Sequence, residues 1–313
     1  MHFHGDQQIV ILAFVFVFGT VIGSFLNVCI TRIPEDVSIV KPGSKCPKCG
    51  TPIKPYDNVP VFAWLWLRGK CRNCGQPISP MYPLVELATG LLFVGCVLEY
   101  GFSEAAVKWI MFTCLILVLA VTDICERMLP DVVTLPGIAV GLCFAALVPP
   151  RDGPGFALAF KLFHRVLPAW QIGPVDAVLG ALFGSLSFWG LGVVITRLMA
   201  RNAFGLGDVK MLAMIGAFMG LSGVFFTMMF GSLIGTVVGT SLIVFLFFRG
   251  WKRNVAERAT RRGLGKLTRL RWELAKRYQL PMGFYLAAGA LPIYLWNGGI
   301  ALITWTTRMV SPH

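Results

Sequence analysis

Charged side chains are scarce in this sequence. They make up 14% of its 313 residues, where a soluble domain carries about 25%. Hydrophobic residues account for 56% and mean hydropathy is +0.71, so lipid rather than water is the solvent this composition suits. Other absences narrow the class. No strand-length alternation of apolar and polar residues is visible, which excludes a membrane β-barrel. The basic start of a secretory signal is missing, and Ile9–Ile30 reads as a retained first span. Histidine is rare: His2, His4, His164 and His313 are scattered over the ends and one loop, so nothing resembles a metalloprotease. The apolar segments show no internal repeat, which argues against a transporter. The net charge of +13 falls in loops beside apolar runs. That placement suits orientation in a membrane and not binding of nucleic acid.

What is present in abundance is apolar sequence in runs near the length, about 20 residues, that crosses a bilayer as helix. About eight spans are expected: Ile9–Ile30, Leu84–Tyr100, Ala105–Thr122, Val132–Val148, Val175–Leu198, Val209–Phe225, Phe226–Phe248 and Met282–Thr306. The sixth and seventh run together, with Gly220 to Gly223 as the turn between them; a seven-span reading stays open. The fold class is therefore an all-α, polytopic membrane helix bundle, because helices satisfy their own backbone groups in lipid. Two loops carry the charge. Thr31–Pro83 has eight basic and three acidic residues, and Arg249–Pro281 has eleven and two. Excess Lys and Arg marks the cytoplasmic side, and six crossings between the loops return the chain to that side. Pro149–Pro174, poorer in Lys and Arg, then lies outside. The basic loop 249–281 is either a solvated topology determinant or an amphipathic helix on anionic lipid.

The nine cysteines divide into two groups. Cys46-Pro-Lys-Cys49-Gly50 and Cys71-Arg-Asn-Cys74-Gly75 are knuckles separated by 21 residues. Two such turns aim four thiolates at one point and build a tetrahedral zinc site. A redox pair or disulfides are the alternatives, disfavoured in a reducing compartment. A closed four-cysteine site is structural, so this Zn2+ staples a small cytoplasmic loop domain. Cys29, Cys96, Cys114, Cys125 and Cys143 follow no pairing pattern and read as packing residues.

Acids at span ends are functional candidates. Asp123 ends the third span, Asp131 begins the fourth, and Asp208 begins the sixth within Gly205-Leu-Gly-Asp-Val-Lys210. On the charge-derived topology all three face the cytoplasm. Two carboxylates sharing a site cannot both ionise easily, so one stays protonated while the other takes a proton from water. Such a pair hydrolyses peptides without a covalent intermediate. Gly205 and Gly207 permit close backbone approach before Asp208. An acid at a helix start is also a cap or dipole partner; that bland reading is the better one for Asp131 and stays open for Asp208.

Taken together, these motifs resemble the bacterial type IV prepilin peptidases, which are also N-methyltransferases. The resemblance rests on Gly23-Ser-Phe-Leu-Asn-Val28 with Arg32 and Pro34, both knuckles around Tyr56-Asp-Asn-Val-Pro60, and Tyr82-Pro-Leu-Val-Glu-Leu87. It extends through Thr122-Asp123, Leu129-Pro-Asp131, Gly205 to Lys210 and Pro281-Met-Gly-Phe-Tyr285. It implies an aspartic endopeptidase of the G-x-G-D type with Asp123 and Asp208 as catalytic residues, and Asp131, Gly205, Gly207 and Lys210 as secondary candidates. The substrates implied are prepilins or pseudopilins, cut at the cytoplasmic face of the inner membrane in support of pilus assembly or type II secretion. The new N-terminus, typically Phe, is then methylated from S-adenosyl-L-methionine, an activity associated with the cysteine loop. Glu86 is the candidate for the methyl-donor site, with a helix-start acid as its alternative. The division expected is 1–30 as first span, 31–83 as zinc loop and 84–313 as peptidase core. An ion path and a zinc-loop scaffold for a secretion assembly are the rival functions.

Overall fold

The computed structural model describes residues 5–148, 169–199, 205–248 and 282–295. The basic loop 249–281, most of the loop 149–174, the end of the last expected span and all four histidines lie outside the described residues.

Every long element is a helix: α1 (Gly5–Arg32), α3 (Met81–Tyr100), α4 (Glu104–Glu126), α5 (Asp131–Leu147), α6 (Ala169–Met199), α7 (Leu206–Phe248) and α8 (Met282–Leu295). A 3-10 turn, Pro55–Asn58, and a short helix, α2 (Phe62–Trp66), lie in the cysteine loop. Among the described residues no strand forms; two isolated bridges, Lys45 to Pro52 and Lys70 to Pro77, close the two knuckles. Local chemistry sets several ends. The Ser103 hydroxyl caps α4 by accepting from the Ala106 N–H at 3.3 Å. Arg127 ends α4 in the left-handed region, its N–H donating to the Asp123 carbonyl at 3.1 Å. Pro130 then holds the extended backbone that starts α5.

Five helices, α1, α3, α4, α6 and α7, are long and apolar enough to cross a membrane; α5 and α8 are apolar but shorter. Large apolar side chains along α1 point outward, among them Ile9, Val10 and Phe14, as lipid contact requires. Two of the expected packing cysteines, Cys125 and Cys143, are exposed rather than packed.

The sixth and seventh expected spans fall together on α7, which breaks at Gly220 (φ 71°, ψ −171°). The break lies at the first residue of the expected turn, not at the Phe225–Phe226 boundary. Its cause is in α6: the Asp176 carboxylate accepts the Leu221 N–H at 3.2 Å, satisfying the backbone freed by the break. A methyl group on Gly220 would overlap that carboxylate. Asp176 is itself buried, as is Lys108 of α4, whose charge acts on it. The Lys108 ammonium also sits 5.0 Å from the Trp109 ring centroid.

α6 and α7 cross through Gly180-x-x-x-Gly184 and Gly216-x-x-x-Gly220, where side chains on Gly216 or Gly180 would strike facing backbone. Small residues at such spacing let membrane helices approach closely. α4 and α7 share the centre of the bundle. Phe112, Ile116 and Leu119 pack with Met211, Met214, Ile215 and Phe218, all fully buried or nearly so. Phe112 and Phe218 meet at 5.2 Å between ring centroids. The two helices that carry Asp123 and Asp208 are therefore held by the same core.

Candidate active site and cysteine cluster

Asp123 lies in the last turn of α4 and is 7% exposed. Its Oδ2 accepts the N–H of Phe284 at 3.1 Å, and the Gly283 backbone also donates to it. The α8 start thus supplies a backbone seat for this carboxylate. Gly283 is required by the close approach: a Cβ there would stand 3.0 Å from Asp123 Oδ2 and 3.1 Å from Leu129 Cδ2.

Asp208 is in the first turn of α7, half-buried, where the helix dipole favours an acid. Its own N–H donates to the Gly205 carbonyl at 3.2 Å, and its carboxylate accepts from the Gly205 backbone. Asp123 and Asp208 are near enough for the charge of the first to act on the second. Two acids 85 positions apart in sequence thus come within electrostatic range of each other. Leu129, between α4 and α5, packs against the starts of both α7 and α8: a Cβ on Gly207 would stand 3.0 Å from the Leu129 Cβ and one on Gly283 3.1 Å from its Cδ2.

Asp131 is exposed at the first position of α5. Both of its oxygens accept from Lys210 Nζ at 2.7 Å. This ion pair ties the start of α5 to the first turn of α7. Of the secondary candidates, Gly205 and Gly207 therefore serve the Asp208 turn, while Asp131 and Lys210 engage each other.

Glu86 is buried in the second turn of α3, past the positions where a helix-start acid acts. Its Oε2 accepts the Val61 N–H at 2.7 Å, and the Ser24 side chain also bonds to it. Val61 has φ 60°, a conformation that is a genuine outlier for a β-branched residue.

Cys46, Cys49, Cys71 and Cys74 converge, with all four Sγ atoms within 4.8 Å of one another. The Cys46 and Cys74 sulfurs are 3.9 Å apart, close to the spacing of about 3.8 Å that a tetrahedron of 2.3 Å zinc–sulfur bonds imposes. The knuckles are built alike. Cys46 N–H donates to Thr51 O at 2.9 Å and Cys71 N–H to Gln76 O at 2.8 Å. Gly50 and Gly75 take φ 71° and 68° at the matching turn positions. Asn73 joins the two, donating to Thr51 Oγ1 at 2.9 Å. Arg72 donates to Asp57 at 2.6–3.1 Å and holds that carboxyl below its ordinary range.

Several contributors carried no signal as side chains. The Phe284 donor is a backbone group, and Leu129 is one leucine among many. The buried pair Lys108 and Asp176 was detectable as charge inside apolar runs, but its partner helix was not.

Comparison with known proteins identifies relatives that cover most of the chain. A family model described as Bacterial Peptidase A24 N-terminal domain matches residues 17–100, and one described as Type IV leader peptidase family matches residues 110–240. A prepilin leader peptidase/N-methyltransferase of Myxococcus xanthus is 39% identical over 231 residues, covering 74% of this chain and 63% of that protein. The match thus spans less than two thirds of that relative. Proteins of the same description from Xanthomonas campestris pv. campestris and Pseudomonas aeruginosa are 31% and 32% identical. These cover 90% and 72% of this chain, and 90% and 78% of the relatives. No solved structure matches the chain significantly.

Proposed function

The chain belongs to the type IV leader peptidase family, and from that premise we propose that it is an inner-membrane aspartic peptidase and N-methyltransferase acting on prepilins or pseudopilins. What supports the peptidase reading is that Asp123 and Asp208, from α4 and α7, lie near enough for one charge to act on the other, with Asp123 on the backbone seat of α8. One carboxylate takes a proton from the attacking water; the other, protonated, gives its proton toward the scissile group. The Phe284 N–H fixes the Asp123 oxygen that would otherwise turn away, and Leu129 packs against the starts of α7 and α8. Asp131 and Lys210 clamp the surrounding turns without joining the chemistry.

The charge asymmetry of the sequence supports a cytoplasmic active site, with residues 31–83 as a loop domain on the same face and 84–313 as the peptidase core. The four sulfurs fit a structural Zn2+ bound by Cys46, Cys49, Cys71 and Cys74. Its place is to fold the loop; no step of cleavage runs through it. For the second activity, S-adenosyl-L-methionine supplies an electrophilic methyl group. The amine nitrogen takes the methyl, the carbon–sulfur bond breaks toward sulfur, and one proton leaves the amine.

The test is direct. The purified chain is incubated with a prepilin, with and without S-adenosyl-L-methionine, and the product is weighed by mass spectrometry. Loss of the leader alone, then loss of the leader with gain of one methyl, is the expected pair of results. An unchanged substrate in both samples contradicts the reading.

A further inference from the structure

Beneath the cysteine loop, α1 and α3 enclose a polar cluster that peptide cleavage does not use. Gly23 lets the helices touch, since a Cβ there would stand 2.7 Å from the Glu86 Cα. Asn27, one turn along α1, is 3% exposed and donates from Nδ2 to the Tyr82 carbonyl at 2.9 Å. Its Oδ1 is fully buried and finds no donor among the described residues. Tyr82 O requires the amide nitrogen, so the side chain cannot be turned to hide the oxygen. Ser24 and Glu86 stand in the same cluster, with the strained Val61 N–H drawn onto Glu86.

The cluster leaves one acceptor over. Glu86 has the Val61 N–H and Ser24 as partners, while Asn27 Oδ1 has none among the described residues. A buried acceptor without a donor is rare and calls for an explanation by a missing partner. A partner rich in positive N–H donors or bearing another cationic centre completes it. S-adenosyl-L-methionine has both an ammonium and a sulfonium. The cluster also lies at the right place. Met81, one residue before Tyr82, touches Cys125 at 3.3 Å between sulfurs, two residues past Asp123. The first turns of α3 therefore separate the end of α4, where a new N-terminus would be released, from Glu86.

We propose that this junction of α1, α3 and the loop is the methyl-donor site, with Glu86 facing the sulfonium and Asn27 Oδ1 accepting from the amino group. The inference rests on the methyltransferase reading above. Val61 is drawn onto Glu86 by a hydrogen bond from a residue in a strained conformation, the kind of strain that gathers at ligand clamps.

Calorimetry on the full chain in detergent, with S-adenosyl-L-methionine and S-adenosyl-L-homocysteine as separate probes, tests the site. Glu86→Gln keeps an acceptor for Val61 but loses the charge. It should weaken the sulfonium compound by roughly tenfold or more and the neutral thioether far less. Asn27→Leu removes the orphaned oxygen and should weaken both compounds by similar factors. Leader cleavage and the thermal transition, read on the same samples, report whether the fold has been disturbed. If the natural chain binds both probes and both variants bind them equally well, the site is elsewhere and the methyltransferase reading stands. If the natural chain binds neither probe and methylates nothing, that reading fails and takes the site with it. Parallel loss of probe binding, cleavage and thermal stability in both variants would make the cluster a structural one and overturn the proposal.

Discussion

Asp131 and Lys210 face solvent in part, with side chains 55% and 34% exposed. An ion pair in that setting contributes little, about 0–1 kcal/mol. Asp131→Asn and Lys210→Met should each lower stability by no more than about 1 kcal/mol, and the double variant should be no worse than either single one. Cleavage should persist in all three. Loss of cleavage in Asp131→Asn alone would place Asp131 in the dyad. Gly283 makes the opposite case, because its missing side chain is what admits the Asp123 carboxylate. A methyl group 3.0 Å from Oδ2 pushes the carboxylate off the Phe284 N–H. Misplacement by about 1 Å can lower a rate by about 100-fold. Gly283→Ala should therefore cut cleavage by about 10- to 100-fold in protein that inserts and melts normally; normal cleavage would show that the seat is unimportant.

At the scale of elements, α7 shows what apolar runs can and cannot disclose. Its helices are legible because lipid demands long apolar segments, and the glycines at 220 and 223 marked a turn. The place of the break was not legible from α7, because residues on both sides are apolar. It is decided by Asp176 on α6, which accepts the Leu221 N–H. Gly220→Ala combines a φ of 71° with a methyl group against that carboxylate. It should destabilise the protein by about 1–3 kcal/mol, read as a lowered Tm in detergent; an unchanged Tm would mean that the break does not depend on this packing. The cysteine knuckles were more legible, since metal-ligand spacing is a local property. Elemental analysis should find about one zinc per chain. Cys71→Ser with Cys74→Ser should release it and impair methylation more than cleavage. Fully reduced natural protein lacking zinc would end this account of the loop.

Across the whole molecule, the informative step is the pairing of distant acids. Sequence placed Asp123 and Asp208 on one side only through a count of crossings and the charge of the loops. It could not show that α4 and α7 share a core around Phe112 and Phe218. Nor could it show that α8 returns a backbone donor to Asp123. Glu86 was singled out, yet its partners Ser24 and Val61 come from α1 and the loop, and no local pattern joins them. The same separation of parts gives the account its most direct test: leader cleavage measured on Asp123→Asn and Asp208→Asn, each inserted and folded. Asparagine keeps the shape but can neither take nor share the proton, so each variant should lose cleavage about as fully as the double variant, the two acids acting as a unit. Both should still methylate a synthetic peptide that already begins with the mature Phe, because methyl transfer needs no activated water. Near-normal cleavage by Asp208→Asn, or by Asp123→Asn, would contradict the paired-aspartate mechanism.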